Sequence, residues 1–322
     1  MKLRFNNPLL AFFWLLTLLL SGLACLAQLP LRNYAVEQLS RFPIYFAGAQ
    51  LIILAHLPMW FVWRPKNEVR LLALLNIVLL VRAGLIAWPF VSAQAELREA
   101  SDQRPIRVLY ATLADPSADY RELRAVIAAA RPDLICISEP QVKAIQALHI
   151  PEGYKYRFDT QSNSSQPLML YSKLRFLDQP QSDLGVGVPP IIYVRLRAHG
   201  RPLNFAFYDV PEPRDAKNSR VAWLMMRRIS SLLRDATEPV AVIGNMKATP
   251  FSMLYRSVIE WTLWRDGQHG FNLASTWNGR SSWQRATLSH LLVNRGVHVS
   301  SYEVLGAVES AHLPILADLE LQ

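Results

Sequence analysis

Cysteine is nearly absent: the 322 residues hold two, Cys25 and Cys136. They fall in different parts of the chain, which argues against a disulfide and against a cysteine-based zinc site. A dense basic cluster is missing as well. Residues 101–322 carry 25 Lys/Arg against 21 Asp/Glu, a mild excess of +4. Nucleic-acid binders gather their positive charge on one face, so nucleic acid is not supported as a partner. The chain also shows no internal repeat and no low-complexity tract. Finally, acidic residues are absent from three long apolar runs near the start of the chain.

Those runs are residues 9–29, 43–63 and 71–90. Each is close to the roughly 20 residues a helix needs to cross about 30 Å of hydrocarbon. Three in succession exceed what a soluble core uses, so residues 1–92 read as a three-helix transmembrane region with the lipid bilayer as its partner. Trp60, Trp63, Trp88 and Phe90 stand at run ends, as interfacial anchors do. Lys2 and Arg4 precede the first run, and Arg64, Lys66 and Arg70 crowd the short second link. The positive-inside rule then puts the N-terminus in the cytoplasm and the rest of the chain outside it. The expectation is a bacterial-type inner (plasma) membrane protein with a periplasmic or extracytoplasmic domain. Arg82 interrupts the third run. Since a mid-helix charge costs ~2.5–3.5 kcal/mol, it should snorkel to the headgroups or bond to His56 or a carbonyl.

Residues 93–104 are polar and read as a linker; 105–322 read as one α/β domain. Strands are expected at 106–110, 134–138, 169–171, 191–197, 203–208, 239–243, 288–293, 297–305 and 315–321. Ser117 or Asp119 should cap a helix over 120–130. Asn218 or Ser219 should cap another to residue 234, its core stripe being Val221, Leu224, Met225, Leu232 and Leu233. A short helix is expected at 251–260. Residues 161–166 read as a polar loop. Interleaved strands and helices suggest two sheets packed face to face with helices outside.

The landmarks of this domain, in order, resemble the endonuclease/exonuclease/phosphatase family. A strand and helix lead to Pro132-Asp133 and then Ile137-Ser138-Glu139. Phe205-Ala206-Phe207-Tyr208-Asp209-Val210-Pro211 is similar to the family's strand ending in His. Arg220 fits the helix that follows. Gly244-Asn245-Met246-Lys247 resembles Gly-Asp-Phe-Asn, and Thr276-Trp277 a common late Thr-Trp. Leu288-Ser289-His290-Leu291-Leu292-Val293 resembles Ile-Asp-His-Ile-Leu-Val, and Ser310-Ala311-His312-Leu313-Pro314 resembles Ser-Asp-His-x-Pro. The resemblance implies a four-layer, two-sheet β-sandwich flanked by helices, preceded here by three transmembrane helices. It implies Mg²⁺-dependent cleavage of phosphoesters, with Glu139 as metal ligand and His312 as general base.

Other positions depart from the pattern. The opening Asn is Thr112 or Ala111, the strand-end His is Asp209, and Asn245 and Lys247 replace an Asp and an Asn. Ser289 and Ala311 replace two further aspartates. Asn245 carries no charge to orient an imidazole, Ala311 offers no oxygen, and a lysine repels Mg²⁺. The expected site is thus His312 and Asp209 as catalytic residues, with Asn245, Lys247 and Thr112 binding ligand. Glu139 is the metal ligand if a metal binds at all. No cofactor is expected, or Mg²⁺ or Mn²⁺ if the site is active. The first expectation is a domain that has lost hydrolysis and binds an anionic or phosphate-containing ligand or an envelope partner. The alternative is an active metal-dependent phosphodiesterase, phosphatase or nuclease with a rebuilt site.

Overall fold

The computed structural model describes residues 8–29, 33–60, 66–92, 104–113, 115, 119–140, 145–146, 148–160, 166–279, 284–308 and 310–322. The linker but for Arg104, Ser117 as a cap, the loop over 161–165 and the charges at Lys2, Arg4, Arg32 and Arg64 lie outside the described residues. The chain divides into two compact units, Met1–Trp88 with Pro250–Leu254, and Pro89–Thr249 with Tyr255–Gln322.

The first unit is helical: α1 (Pro8–Gln28), α2 (Tyr34–Leu39), α3 (Pro43–Trp60) and most of α4 (Lys66–Val91). α1, α3 and α4 are long and apolar enough to cross a membrane. The short α2 falls where the sequence suggested only a link. Asn33 caps it, its Oδ1 accepting from Ala35 N–H at 2.9 Å. Phe12, Leu15, Ile52, Leu71 and Leu85 are exposed, whereas Ser21, Gln50 and Asn76 are buried. Apolar residues outside and polar ones inside suit a hydrocarbon surrounding. Asn76 Nδ2 donates to Ser21 Oγ at 3.0 Å and to Leu72 O at 2.9 Å, and the Trp14 and Trp60 rings pack 5.0 Å apart. His56 Nδ1 donates to Ile52 O at 2.8 Å.

The second unit holds two six-stranded mixed sheets. The first contains β1 (Ile106–Thr112), β2 (Leu134–Ser138), β3 (Tyr156–Asp159), β4 (Leu168–Ser172), β13 (Val297–Val304) and β14 (Ile315–Leu321), ordered β13-β14-β1-β2-β4-β3. The second contains β5 (Arg175–Phe176), β6 (Ile192–Ala198), β7 (Arg201–Asp209), β8 (Val240–Asn245), β9 (Arg265–Asp266) and β12 (Ser289–Val293), ordered β5-β6-β7-β8-β12-β9. A ribbon of β10 (Trp277–Asn278) and β11 (Arg285–Ala286) stands apart. Helices α5 (Arg121–Ala130), α6 (Ala216–Leu233) and α7 (Met253–Thr262) complete the unit.

Alternation along the strands builds two cores. Val108, Tyr110, Cys136 and Leu170 meet Val194, Phe205, Phe207, Ile243 and Leu291 between the sheets. Leu109, Ala111, Ile135 and Ile137 point the other way and bury Leu123 and Ile127 of α5. β6 follows the expected alternation, with Ile192, Val194 and Leu196 buried.

Two helix expectations need correction. α6 is capped by Asp215, which precedes the expected Asn218 in the chain and whose Oδ1 accepts from Asn218 N–H at 2.7 Å. Its buried stripe is Ala222, Met225, Met226, Ile229 and Leu233, while Leu224 and Leu232 are exposed. The stripe rotates because Ala222 and Ile229 share the face of Met225, a face the larger leucines obscured. At α5 the N-cap is Tyr120, at φ +49° with no side-chain cap, and Asp119 before it accepts from Arg121 N–H at 2.9 Å.

The parallel pairs position the site. β1 lies parallel to β2, setting Thr112 beside Ser138. β7 lies parallel to β8, setting Asp209 beside Asn245, and antiparallel β12 sets Ser289 on its other side. Polar strand ends of both sheets therefore gather at one edge of the sandwich.

Candidate functional site

Above these strand ends opens a cleft of about 990 Å³, lined by Glu139, Gln166, Arg214, Lys247 and His312 among others. The loop after β8 carries its floor. Met246 and Lys247 N–H both donate to Leu288 O, at 2.9 and 3.1 Å, and Lys247 N–H also reaches Asn245 Oδ1 at 3.1 Å. Lys247 is held at φ +53° and Glu139 at φ +51°, left-handed conformations that a side chain with Cβ adopts at a cost. The site therefore holds strained backbone on both sides of its charges.

This strain aims the Lys247 ammonium inward. Its side chain is 4% exposed, and Nζ lies 3.2 Å from Asp209 Oδ1 and 3.6 Å from Glu139 Oε1. Asp209 is fully buried. Burial lifts its carboxyl to about 7, against the pull of Lys247 and with a further push from Glu139. His312 is driven the other way, to about 4, by burial and then by the Lys247 charge. It is a neutral imidazole at pH 7, and its Nδ1 is buried with no hydrogen-bond partner among the described residues.

The remaining expected residues separate. Thr112 belongs to a buried hydroxyl triad, with Oγ1 2.8 Å from Ser138 Oγ and both 3.1 Å from Tyr110 OH. It does not line the cleft. Asn245 spends Oδ1 on the Lys247 backbone, and its Nδ2 finds no partner among the described residues. The hydroxyl of Ser289, where the family resemblance places an aspartate, is likewise unpartnered. Among the described residues no carboxylate is bonded to His312 Nδ1.

Sequence reasoning passed over a second polar cluster. His290 is fully buried, with Nδ1 2.8 Å from Asp266 Oδ2 and Nε2 2.8 Å from Ala248 O. Tyr255 OH donates to the same Asp266 oxygen at 3.0 Å. His290 holds Asp266 below the usual carboxylate range despite its burial. Its link to Ala248 braces the loop that presents Lys247. The partners lie 24 and 42 positions from His290, so nothing local in the sequence announced them.

The residues present do not fit a divalent cation. Mg²⁺ takes about six oxygen ligands in a tight octahedron. Here an ammonium already stands between the two carboxylates that face each other. Among the described residues no group of three His, Cys, Asp or Glu converges to hold a metal.

Two mixed sheets under helices, with a polar cleft at their joined strand ends, define a two-sheet α/β sandwich. The Endonuclease/Exonuclease/phosphatase family matches residues 103–312, and the chain belongs to that family. Solved structures share the fold. The crystal structure of humanized D. rerio TDP2 is 14% identical, with a TM-score of 0.57, over 67% of this chain and 98% of its own. The Bacteroides thetaiotaomicron mannosyl-6-phosphatase Bt3783 is 14% identical, with a TM-score of 0.54, over 67% of this chain and all of its own. The human Nocturnin catalytic domain with bound sulfate is 17% identical, with a TM-score of 0.54, over 69% and 97%. No curated protein matches the chain.

Proposed function

We propose that this chain is a membrane-anchored member of the family that does not hydrolyse phosphoesters, its cleft serving to bind a ligand. The observation that carries the reading is the Lys247 ammonium lying 3.2 and 3.6 Å from Asp209 and Glu139. A tethered monocation supplies half the charge of Mg²⁺, holds no water and cannot leave. The unoriented, neutral His312 supports the same reading, because a general base needs a partner that fixes its tautomer. Lys247 lines the cleft with its ammonium on Asp209 and Glu139, Asn245 is buried behind it, and His312 and Asp209 are vestiges of the reaction centre. The three apolar helices support anchoring in a bilayer. The lysines and arginines flanking them support a cytoplasmic N-terminus and an extracytoplasmic domain.

The test uses the full chain in detergent with bis-(p-nitrophenyl) phosphate and Mg²⁺ or Mn²⁺. The expected turnover equals that of a denatured control. Metal-dependent turnover that vanishes with Glu139→Ala overturns the proposal. Alkaline phosphatase fused after Gln322 should be active; an inactive fusion reverses the orientation.

A further inference from the structure

We infer that the outer face of α6 and the end of α7 form a docking surface for anionic lipid headgroups, the partner being the bilayer that holds the chain. The inference rests on the reading that α4 spans that bilayer.

α6 is chemically one-sided. Its 18 residues include Lys217, Arg220, Arg227 and Arg228 and no carboxylate. Arg220, Leu224, Arg227, Ser231 and the C-cap Arg234 follow at steps of four and three, so they share one face, and all are exposed. Arg228 points off that face, donating to the carbonyls of Leu184 and Val186 at 2.9 Å each. Lys217, Arg220 and Arg227 make no ion pair among the described residues. Of the acids flanking the two helices, Asp215 caps α6, Arg234 holds Asp235 at 3.1 Å, and Glu260 stands on α7. The face is left cationic, and a polyanion outside the domain complements it.

Apolar exposure gathers at the same place. Beyond Val91, the large apolar side chains left exposed among the described residues are Val186, Leu224, Leu232 and Leu263. Three of these four lie on α6 or at the end of α7, so they are not scattered. Arg220 and Arg227 bracket Trp223, whose ring meets that of Trp261 on α7 at 6.0 Å. Leu263 closes α7 at φ +57°, its N–H on Ile259 O, where glycine is usual. It is 74% exposed. A leucine strained in the left-handed region and buried against nothing in the chain finds its use outside the chain. Arginine stems, tryptophan rings and an aliphatic tip together suit the boundary between headgroups and acyl chains.

Chain continuity names the occupant. Pro89–Val91, the end of α4, belongs to the same unit as these helices. Gly270 N–H donates to Pro89 O at 2.9 Å and Asn272 N–H to Phe90 O at 2.8 Å. The buried Phe90 ring stands edge-on to His269 at 4.6 Å. Residues 269–272 are thus fixed to the end of a spanning helix. Leu263 precedes His269 by six residues, about 20 Å of chain at most. A surface tethered so close meets lipid at high effective concentration, and weak attraction per charge suffices.

The experiment puts a spin label on the face through Ser231→Cys in a Cys25→Ala background, Cys136 being buried. The full chain is reconstituted in nanodiscs of phosphatidylcholine, alone or with about 30 mol% phosphatidylglycerol to make the surface anionic. Collisions of the label with an uncharged, water-soluble relaxation agent are measured. They should fall several-fold with phosphatidylglycerol and recover at about 1 M salt, where screening is complete within ~3 Å. Arg220→Glu with Arg227→Glu should weaken docking roughly thirtyfold, about fivefold for each cation removed. Leu263→Asn, a residue at ease with positive φ, should weaken it several-fold and keeps the test open if the double variant misfolds. Equal collisions in the two lipids, protection that survives salt, or protection unchanged in both variants overturns the inference. Protection in phosphatidylcholine alone that resists salt overturns it in favour of a protein partner or a second copy. A chain that leaves the discs in salt overturns the anchoring reading instead.

Discussion

Two histidines of the same domain stand in opposite states. His290 has both ring nitrogens on acceptors, Asp266 and Ala248 O, each at 2.8 Å. His312 has a buried Nδ1 with no partner among the described residues. Both occupy positions where the family resemblance puts a histidine, yet their settings have diverged. One is a finished structural element: ring, carboxylate and the Tyr255 hydroxyl satisfy one another in the interior. The other has Ala311 beside it, where the resemblance places an aspartate. Full satisfaction marks a residue held for the fold, and an orphaned buried atom marks one that the fold alone does not explain.

The largest test of this contrast removes each ring in turn. His290→Ala leaves the buried Asp266 carboxylate with only the Tyr255 hydroxyl and the Gln268 N–H among the described hydrogen bonds and frees the loop at Ala248. It should cost ~3–5 kcal/mol in chemical unfolding, the range for stripping one partner from a buried ionic pair. His312→Ala at pH 7 should cost about 1 kcal/mol or less, since no hydrogen bond to the ring is lost. Equal losses would erase the distinction.

A smaller effect lies in pH dependence, where His312 and Asp209 oppose each other. His312 is depressed to about 4, so between that pH and its ordinary 6.5 the unfolded chain binds the proton that the folded chain refuses. Its contribution to stability rises with pH across this window and is lost on acidification. Asp209 is raised from 3.8 to about 7, so the folded chain holds the extra proton and its contribution falls as pH rises from about 4 to 7. Unfolding free energies at pH 4.5, 5.5 and 6.5 should separate them. Relative to wild type, His312→Gln should lose the rising component and Asp209→Asn the falling one, each on the order of a few kcal/mol over its window. Parallel profiles for both variants would mean that neither group is buried as placed.

Much of this fold could be read from the sequence, because strands and spans rest on periodicity. The apolar runs of α1, α3 and α4, the alternation of β6 and the Pro132-Asp133 turn before β2 all express spacing along the chain. The replaced carboxylates were legible too. What could not be read is where Lys247 points. The sequence suggested a lysine at the cleft floor facing ligand, whereas its positive φ and the Leu288 carbonyl turn the side chain onto Asp209 and Glu139, 38 and 108 positions earlier. The pairing of Asp266 with His290 escaped notice for the same reason, since pairing across two strands leaves no mark on local spacing. The rotated stripe of α6 is a lesser failure: alanine and isoleucine on the buried face were outvoted by leucines that lie exposed.

The finest test acts on Lys247 alone. Burial and the Glu139 charge raise the Asp209 carboxyl, the ammonium and a weaker Ser138 hydrogen bond lower it, and together they leave it at about 7. Lys247→Met keeps the stem and removes the charge. The Asp209 titration should then move above 7, by ¹³C carboxyl shifts, because burial and the Glu139 charge outweigh the Ser138 hydrogen bond that remains. His312 should move toward its ordinary value in the same variant, since the Lys247 charge is one of the two causes of its depression. Stability at pH 7 should change by about 1 kcal/mol or less, as the lost ion pair is offset by a carboxyl that simply takes up a proton. If Asp209 instead titrates lower in Lys247→Met, the ammonium does not sit between the two acids, and the account of a lysine standing in for a metal fails with it.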